Sequence, residues 1–250
     1  MLLSREKPEI LFITPTSEKF TQLADLTRLS QTLSLVSNIQ WIIIEDRAQK
    51  SEKLVKLLNR IKVPSIHLNL KTPPAFPGRG WAQRNYALAH IRNKYQSATG
   101  NELKKIVYFG DDDNAYDIRL FDNYIRNVKR IGVWPVGLTY GGVVEAPRVN
   151  QDSRVVGWNS LWRPDRMFAT DMAGFAVSLD LVLNTNATFA ASCDKRQLGP
   201  ETCFIELLGV QRGDLEPFGV NDQPKEILVW HTRTEMYRPL QNDSDHGYIF

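Results

Sequence analysis

The chain has 250 residues, of which 42% are hydrophobic and 24% are charged, proportions that are ordinary for a soluble globular protein. Its 31 basic and 28 acidic residues give a formal net charge of only +3, which provides no bulk signal for nucleic-acid binding. No apolar stretch approaches the roughly 20 residues that span a bilayer, and MLLSREKPEI is too short for the apolar part of a signal peptide. We therefore expect a soluble chain, or a fragment whose membrane anchor is missing.

The first part of the chain alternates strands and helices. The hydrophobic pattern predicts strands at 10–13, 41–44, 65–70 and 106–109, and helices within 17–36, 53–60 and 81–95. Ser17 is a plausible N-cap for the first helix. This order favours a mostly parallel sheet with helices on both faces.

Carboxylates follow two of these strands, at Asp46 and at Asp111–Asp113. In open α/β sheets, ligands bind outside the carboxyl ends of the strands. We therefore expect these aspartates to converge on one crevice.

After about residue 130 the pattern changes to short strands and turns. VWPVGLTYGGVVEAP and RVVGWNSLW predict antiparallel strands, and AGFAVSLDLVL predicts a strand that leads into a short helix. GPETCFIELLGV predicts a helix that begins at Pro200, and EILVWHTRT predicts a closing strand. No repeat or linker separates the two parts, so we expect them to pack tightly together.

The cysteines and sequons leave questions open. Cys193 and Cys203 form no CxxC pair, so a zinc site is not indicated, and they are either two buried thiols or a disulfide. N-glycosylation sequons begin at Asn186 and Asn242 and matter only in the secretory pathway.

Asp111, Asp112 and Asp113 are three adjacent like charges, which repel unless something offsets them. In an extended segment Asp111 and Asp113 would share one face and Asp112 would face the other way. Carboxylate oxygens suit a hard cation such as magnesium or manganese, which completes its shell with water and phosphate oxygens. An Asp- and Asn-rich turn is the alternative, and spacing alone does not decide between the two.

Several other signatures are missing from the sequence. It contains no P-loop, no GxGxxG after the first strand, no GxSxG elbow and no HExxH. The metal–phosphate interpretation therefore leaves sugar-nucleotide transfer, nucleotidyl transfer or phosphate-ester hydrolysis.

Nine segments, in order and over most of the chain, resemble the metazoan β-1,3-glucuronosyltransferases. They are ITPT (13–16), RLSQTLSLV (28–36), IEDR (44–47), GRGWAQRNYAL (78–88), VYFGDDDNAYD (107–117), VWPVGL (133–138), VVGWNSLW (155–162), DMAGFAV (171–177) and VWHTRTE (229–235). DMAGFAV and VWHTRTE are the most specific of the set.

The resemblance implies an α/β fold of the GT-A glycosyltransferase type in one domain. A Rossmann-like UDP-sugar-binding half, at about 8–117, would pack on a mixed-sheet acceptor half at about 118–250. The implied activity is inverting, Mn²⁺-dependent transfer of glucuronate from UDP-glucuronate to a terminal galactose of a glycan, such as the proteoglycan linker. The family also implies a homodimer in the Golgi.

The resemblance assigns roles residue by residue. Asp113 matches the metal ligand. The donor-binding matches are Pro15, Thr16, Asp46, Arg79, Arg84, Asp111, Asp112, Asp171, His231 and Arg233. The acceptor-binding matches are Glu145, Trp162 and Arg166. Taken alone, Arg84 would be read as an exposed helix arginine and His231 as a structural histidine.

Glu201 matches the catalytic base. An inverting transfer needs one carboxylate to take the proton of the attacking hydroxyl. Glu201 follows Gly199 and Pro200 at the predicted start of a helix, where the helix dipole favours the ionised form. An acidic residue in a first helical turn is also common without any catalytic role.

The chain departs from the family at Ser17, where an aromatic residue usually follows ITPT. Stacking on a base contributes about 1–3 kcal/mol, so donor affinity is expected to fall about 5- to 150-fold if nothing replaces the aromatic ring. This departure motivates one alternative, a non-catalytic relative that binds a glycan or nucleotide. The aspartates alone motivate another, a metal-dependent phosphate-ester hydrolase.

Overall fold

The computed structural model describes residues 7–190 and 199–235. Cys193 and Asn242 lie outside these ranges. Within them, Asn186 is exposed, and Cys203 is buried and is not a free thiol. None of the helices in this part of the chain combines the length and the apolar character that crossing a membrane requires.

The described chain forms twelve strands and five α-helices. The strands are β1 (Glu9–Thr16), β2 (Ile39–Glu45), β3 (Ser65–Asn69), β4 (Lys105–Phe109), β5 (Ala115–Tyr116), β6 (Ile131–Val133), β7 (Val136–Gly137), β8 (Val144–Val149), β9 (Val155–Asn159), β10 (Phe175–Ser178), β11 (Glu216–Pro217) and β12 (Val229–Trp230). The helices are α1 (Gln22–Leu33), α2 (Glu52–Arg60), α3 (Trp81–Tyr95), α4 (Leu179–Leu183) and α5 (Pro200–Leu207).

A seven-stranded sheet in the order β11-β6-β10-β4-β1-β2-β3 forms the centre of the fold. Strand β1 pairs in parallel with β2 and β4, β2 pairs in parallel with β3, and β10 runs antiparallel to both of its neighbours. The prediction of a mostly parallel sheet is therefore confirmed.

Side chains of β1 alternate between two apolar layers, as the strand period of two requires. Ile10 and Phe12 pack with Leu26 of α1, whereas Leu11 and Ile13 pack with Leu88 of α3. All six are fully buried, so helices cover both faces of the sheet and β1 is apolar along its whole central run.

The later part of the chain contributes to both sheets. Strands β6, β10 and β11 extend the central sheet, and a second sheet has the order β5-β12-β7-β8-β9. The β7–β8 and β8–β9 pairs are antiparallel, as predicted, but the predicted closing strand is limited to Val229–Trp230. The chain thus crosses between the two parts several times, and a division near residue 117 stays a prediction.

Two local predictions are wrong. Helix α1 begins at Gln22 with Thr21 as its N-cap, so Ser17 does not cap it; the chain first leaves β1 through residues 17–21. Asp112 and Asp113 form a turn rather than an extended segment, so their side chains do not alternate across a strand. Turn formation brings all three aspartates to one cleft.

Candidate active site

A cleft of about 300 Å³ opens where β1, β2 and β4 end. The predicted site residues that line it are Pro15, Thr16, Asp46, Arg79, Arg84, Asp111, Asp112 and Asp113. The predicted convergence of Asp46 with the aspartate triplet is confirmed. Ser17, Gly78, Gly80 and Gln83 complete the lining.

Gly80 allows α3 to begin close to the floor of this cleft. Its φ of +72° lies in the left-handed region, and a Cβ there would lie 2.8 Å from Pro15 and 2.9 Å from the Arg84 Nη1 atom. A larger residue would push either Pro15 or Arg84 out of place.

Asp46 is fixed by the loop that follows β3. Its Oδ1 accepts a hydrogen bond from the Thr72 backbone amide at 2.8 Å, and its Oδ2 accepts one from the Thr72 hydroxyl at 2.6 Å. Gln83 donates to the same hydroxyl oxygen at 3.0 Å and to the Leu70 carbonyl at 2.9 Å. The carboxylate therefore faces the cleft in one orientation.

Arg84 is a buried cation, not the exposed helix residue that its position alone suggests. Its side chain is 4% exposed and forms an ion pair with Asp111, while Nη1 donates to the Arg79 carbonyl at 3.0 Å. Its Nε atom is buried and has no hydrogen-bond partner within the described ranges. The guanidinium thus holds Asp111 at the end of β4.

Asp112 points at the opposite wall of the cleft. It accepts from the Thr16 hydroxyl at 2.7 Å and from Lys19 Nζ at 3.0 Å, and Lys19 also lies 3.0 Å from buried Asp25. Burial raises the pKa of Asp112 to about 6, although the Lys19 charge opposes this rise.

Asp113 is held by its backbone. Its carbonyl accepts from Arg28 Nη2 at 3.0 Å and from the Thr232 hydroxyl at 2.5 Å. Its carboxylate has no hydrogen bond to another side chain in residues 7–190 and 199–235, and burial raises its pKa. This carboxylate is therefore available to a ligand.

The Asp113 carboxylate offers oxygen ligands of the kind that a hard divalent cation prefers. No group of three metal-ligating side chains lies together in the described part of the chain. A cation held by the Asp113 oxygens would therefore need phosphate and water oxygens to complete its shell, which is how magnesium-type ions bind nucleotides.

His231 and Asp171 form a charged pair. His231 Nδ1 lies 2.8 Å from Asp171 Oδ2, and this contact, more than the opposing effect of burial, raises the pKa of His231 to about 9. Asp171 Oδ1 accepts from the Ala173 backbone amide at 2.9 Å. Arg233 is exposed two residues beyond His231, and its charge lowers the pKa of that histidine in part.

The remaining predicted residues form a second cluster around Arg166. Its Nη2 lies 4.0 Å from Glu145 Oε2, and its Nη1 lies 3.9 Å from Glu201 Oε2. Burial raises the pKa of both Glu145 and Glu201 to about 7, and the Asp171 charge adds to the rise. The positive charge of Arg84, which lines the cleft at the ends of β1, β2 and β4, also acts on the pKa of Glu201, so the cleft and the second cluster are close enough to interact electrostatically.

Trp162 forms one wall of this second cluster. The Arg166 guanidinium stacks over its ring, with Cζ 4.2 Å from the ring centroid, and the residue as a whole is 36% exposed. A Cβ on Gly199 would lie 2.9 Å from the ring and 3.4 Å from Glu201 Oε2, at a φ of +87°. Glycine at 199 therefore lets the Trp162 ring lie beside Glu201.

Sequence reasoning missed four side chains that organise the site. They are Lys19, Gln83, Ser160 and Thr232. Gln83, Ser160 and Thr232 lie inside the motifs quoted above, and their position in those motifs could have identified them as site residues. Lys19 has no such signal, because its contact with Asp112 joins residues 93 positions apart.

Comparison with known proteins identifies the family of the chain. Residues 29–235 match the family described as glycosyltransferase family 43. The galactosylgalactosylxylosylprotein 3-β-glucuronosyltransferase sqv-8 of Caenorhabditis elegans is 42% identical over 93% of this chain and 66% of its own length. The human enzymes named galactosylgalactosylxylosylprotein 3-β-glucuronosyltransferase 2 and 1 are 40% and 38% identical. They match over 91% and 96% of this chain, and over 70% and 73% of their own lengths.

Solved structures share the fold at low sequence identity. S. aureus TarS 1-349, in complex with UDP-GlcNAc, has a TM-score of 0.55 and 14% identity, over 91% of this chain and 59% of that chain. A second structure of S. aureus TarS 1-349 has a TM-score of 0.53 and 14% identity, over 89% of this chain and 60% of that chain. This likeness concerns the fold alone and confirms the predicted GT-A type. The family match and the named relatives show that the chain belongs to glycosyltransferase family 43, as its resemblance to the β-1,3-glucuronosyltransferases predicts.

Proposed function

We propose that this chain transfers glucuronate from UDP-glucuronate to a terminal galactose of a glycan acceptor, with inversion at the anomeric carbon. The observation that carries the proposal is the position of Glu201. Its carboxylate lies 3.9 Å from Arg166 of the second cluster and within the field of Arg84 in the donor cleft. A base that lies between the second cluster and the cleft can reach the hydroxyl of an acceptor that binds beside a donor sugar.

The cleft suits a nucleoside diphosphate sugar. Asp46 and the Pro15–Thr16 backbone lie at the end where a uracil and its ribose would bind, and Asp111 and Asp112 are fixed by Arg84 and Lys19. Hydroxyl and imide groups are good donors to such carboxylates.

Cations surround the place proposed for the charged parts of the donor. His231 is a cation at neutral pH because its pKa is about 9, and Arg79 and Arg233 are exposed guanidinium groups. Arginine matches the planar geometry of both carboxylate and phosphate. Asp171, already paired with His231, is the proposed contact for the glucuronate hydroxyls.

Asp113 would hold a divalent cation, for which we propose manganese. When bound, such an ion offsets the charge that develops on the departing diphosphate. His231 and the arginines supply further positive charge, so the leaving UDP does not require a protonated acid.

Glu201 acts as the general base in this proposal. It takes the proton of the acceptor hydroxyl while that oxygen attacks the anomeric carbon and the bond to the diphosphate breaks. A pKa of about 7 suits a base that works at neutral pH. Trp162 offers an apolar surface for a sugar face, and Glu145 and Arg166 offer polar contacts to its hydroxyls.

The acceptor class is also a proposal, supported by the names of the relatives. The homodimer and the Golgi location are proposals that rest on the resemblance of the sequence motifs alone. The relatives are named as galactosylgalactosylxylosylprotein 3-β-glucuronosyltransferases, which points to the proteoglycan linker.

A calorimetric titration tests the donor part of this function. UDP-glucuronate is titrated into the folded protein with manganese, and again with a chelator, with UDP-galactose as the matched ligand. We expect metal-dependent binding that is tighter for UDP-glucuronate. No binding under either condition would contradict the donor assignment and favour a non-catalytic relative.

A further inference from the structure

The Ser160 hydroxyl lies between two acceptors. Its Oγ is within hydrogen-bond distance of Glu145 Oε2 and is 3.2 Å from the Trp162 carbonyl oxygen. A serine hydroxyl has one hydrogen, so it cannot donate to both. Both contacts are hydrogen bonds only if Glu145 carries a proton on Oε2, donates it to Ser160, and Ser160 in turn donates to Trp162.

Arg166 provides one positive charge for two carboxylates. It stands about equally far from Glu145 and Glu201, at 4.0 and 3.9 Å, and hydrogen-bonds to neither. Its Nε and Nη2 donate instead to the carbonyls of Arg163 and Trp162, while Nη1 is buried without a partner in the described ranges. Two acids that share one counter-charge lose their protons in two coupled steps.

The surroundings favour the first ionisation at Glu201. Its side chain is 16% exposed, against 8% for Glu145, and it lies in the first turn of α5, where the helix dipole stabilises an anion. Glu145 lies on β8 and has no such dipole. One of its oxygens, Oε1, is buried and lacks any hydrogen-bond partner in residues 7–190 and 199–235.

We propose that Glu145 is held protonated by the Ser160–Trp162 chain, so that it binds the acceptor as a neutral group and leaves the Arg166 charge to Glu201. This inference rests on the proposed transfer reaction. Oε1 of the neutral acid accepts a hydrogen bond from an acceptor hydroxyl. Glu145 is thereby a positioning residue, which acts on the base through Arg166.

Charged groups on several elements face Glu145 and Glu201. Those acting on Glu145 and Glu201 are Arg84 of α3, Arg166 on the loop after β9, and Asp171 before β10. Arg163 acts on Arg166 from the same loop. The negative charge of Asp171 adds to the preference for one neutral carboxyl.

Glu145→Gln tests the proposal, because the glutamine amide reproduces a neutral acid: its nitrogen donates to Ser160 and its oxygen still accepts. Near neutral pH we expect the kcat/KM of Glu145→Gln for the acceptor to exceed that of Glu145→Ala about threefold or more, since the amide keeps each hydrogen bond that alanine removes. Wild-type activity should decline at higher pH as Glu145 ionises, and Glu145→Gln should lose that decline. Glu145→Ala should lower kcat/KM for the acceptor on the order of tenfold and leave donor binding unchanged.

A Glu145→Gln variant as impaired as Glu145→Ala, with an unchanged alkaline decline, would overturn the proposal. Infrared spectroscopy gives a readout that does not depend on turnover. In the difference between the wild-type and Glu145→Gln spectra, recorded near neutral pH, we expect a protonated-carboxyl band from Glu145. A wild type without that band would overturn the inference. A wild type with the band but without transfer would instead contradict the proposed function.

Discussion

The Nδ1 atom of His231 lies 2.8 Å from Oδ2 of Asp171, 60 residues earlier in the chain. The pair joins the segment after β12 to the turn that leads into β10. Because the folded-state pKa of His231, about 9, exceeds its ordinary value of 6.5, protonation of this histidine stabilises the fold. The stabilisation is complete below about pH 6.5 and is lost as pH rises through about 9.

Asp171→Asn should therefore lower the pKa of His231 towards its ordinary value. Asparagine keeps an oxygen acceptor for the Ala173 amide, so the turn is preserved. We expect the dissociation constant for UDP to rise on the order of tenfold near pH 8 and less near pH 6, because a charged hydrogen bond is lost only where the imidazole becomes neutral. NMR titration of the imidazole and calorimetry with UDP measure both effects.

UDP is the ligand of choice in that experiment because it lacks the glucuronate that Asp171 is proposed to contact. The difference in free energy of unfolding between wild type and Asp171→Asn should also be larger near pH 6 than near pH 10. An unchanged His231 titration would show that Asp171 does not set its charge.

Glu201→Gln should abolish transfer while donor binding is kept. Removal of a general base costs about 10²- to 10⁴-fold in kcat. In the wild type, kcat/KM should rise as pH increases through about 7, since the raised pKa leaves the acid protonated below that value. Glu52→Gln is the matched control, because Glu52 is an exposed glutamate in the first turn of α2. Normal activity in Glu201→Gln would remove Glu201 from the base role.

Arg84→Met should destabilise the protein as well as weaken donor binding. It leaves the Asp111 carboxylate without its buried partner, and because Asp111 is 25% exposed we expect a loss of about 1–3 kcal/mol in the free energy of unfolding. Urea denaturation measures it. Arg79→Met, at an exposed arginine of the same cleft, should change stability by less than about 0.5 kcal/mol. Equal effects of the two substitutions would contradict this distinction.

Ser17→Tyr should strengthen donor binding. Ser17 lines the cleft beside Pro15 and does not cap α1, so a larger side chain does not disturb the start of that helix. A ring that stacks on the uracil would increase affinity for UDP about 5- to 150-fold. Calorimetry measures the change, with Ser17→Ala as the control. Equal affinities in all three proteins would show that no base lies next to residue 17.

The sequence predicts much of the sheet because its strands are buried on both faces. Ile10–Ile13 and Trp41–Ile44 are continuous apolar runs, and such runs bounded by polar residues indicate parallel strands. The ends of β1, β2 and β4 then place Asp46 and the aspartate triplet together by topology alone. The sequence-based prediction of the N-cap fails at Ser17. Serine is a good capping residue, but the path of the chain from β1 to the cleft places Ser17 before the start of the helix.

Long-range contacts are what the sequence does not reveal. Thr234 donates to Asp25 at 2.5 Å across 209 residues, and Lys19 bridges Asp25 and Asp112. No spacing rule links positions so far apart, since only the packed fold brings them together. The protonation states of Glu145 and Glu201 cannot be predicted from the sequence either, because their raised pKa values depend on burial beside Arg166.

Acceptor-dependent release of UDP tests the central claim most directly. The purified protein is incubated with UDP-glucuronate, manganese and a galactose-terminated oligosaccharide, and both UDP and the glycan product are measured. The proposed function predicts UDP release only when the acceptor is present, and a β-linked glucuronate on the galactose. UDP release without an acceptor, or no glucuronidated product from a protein that binds the donor, would contradict it.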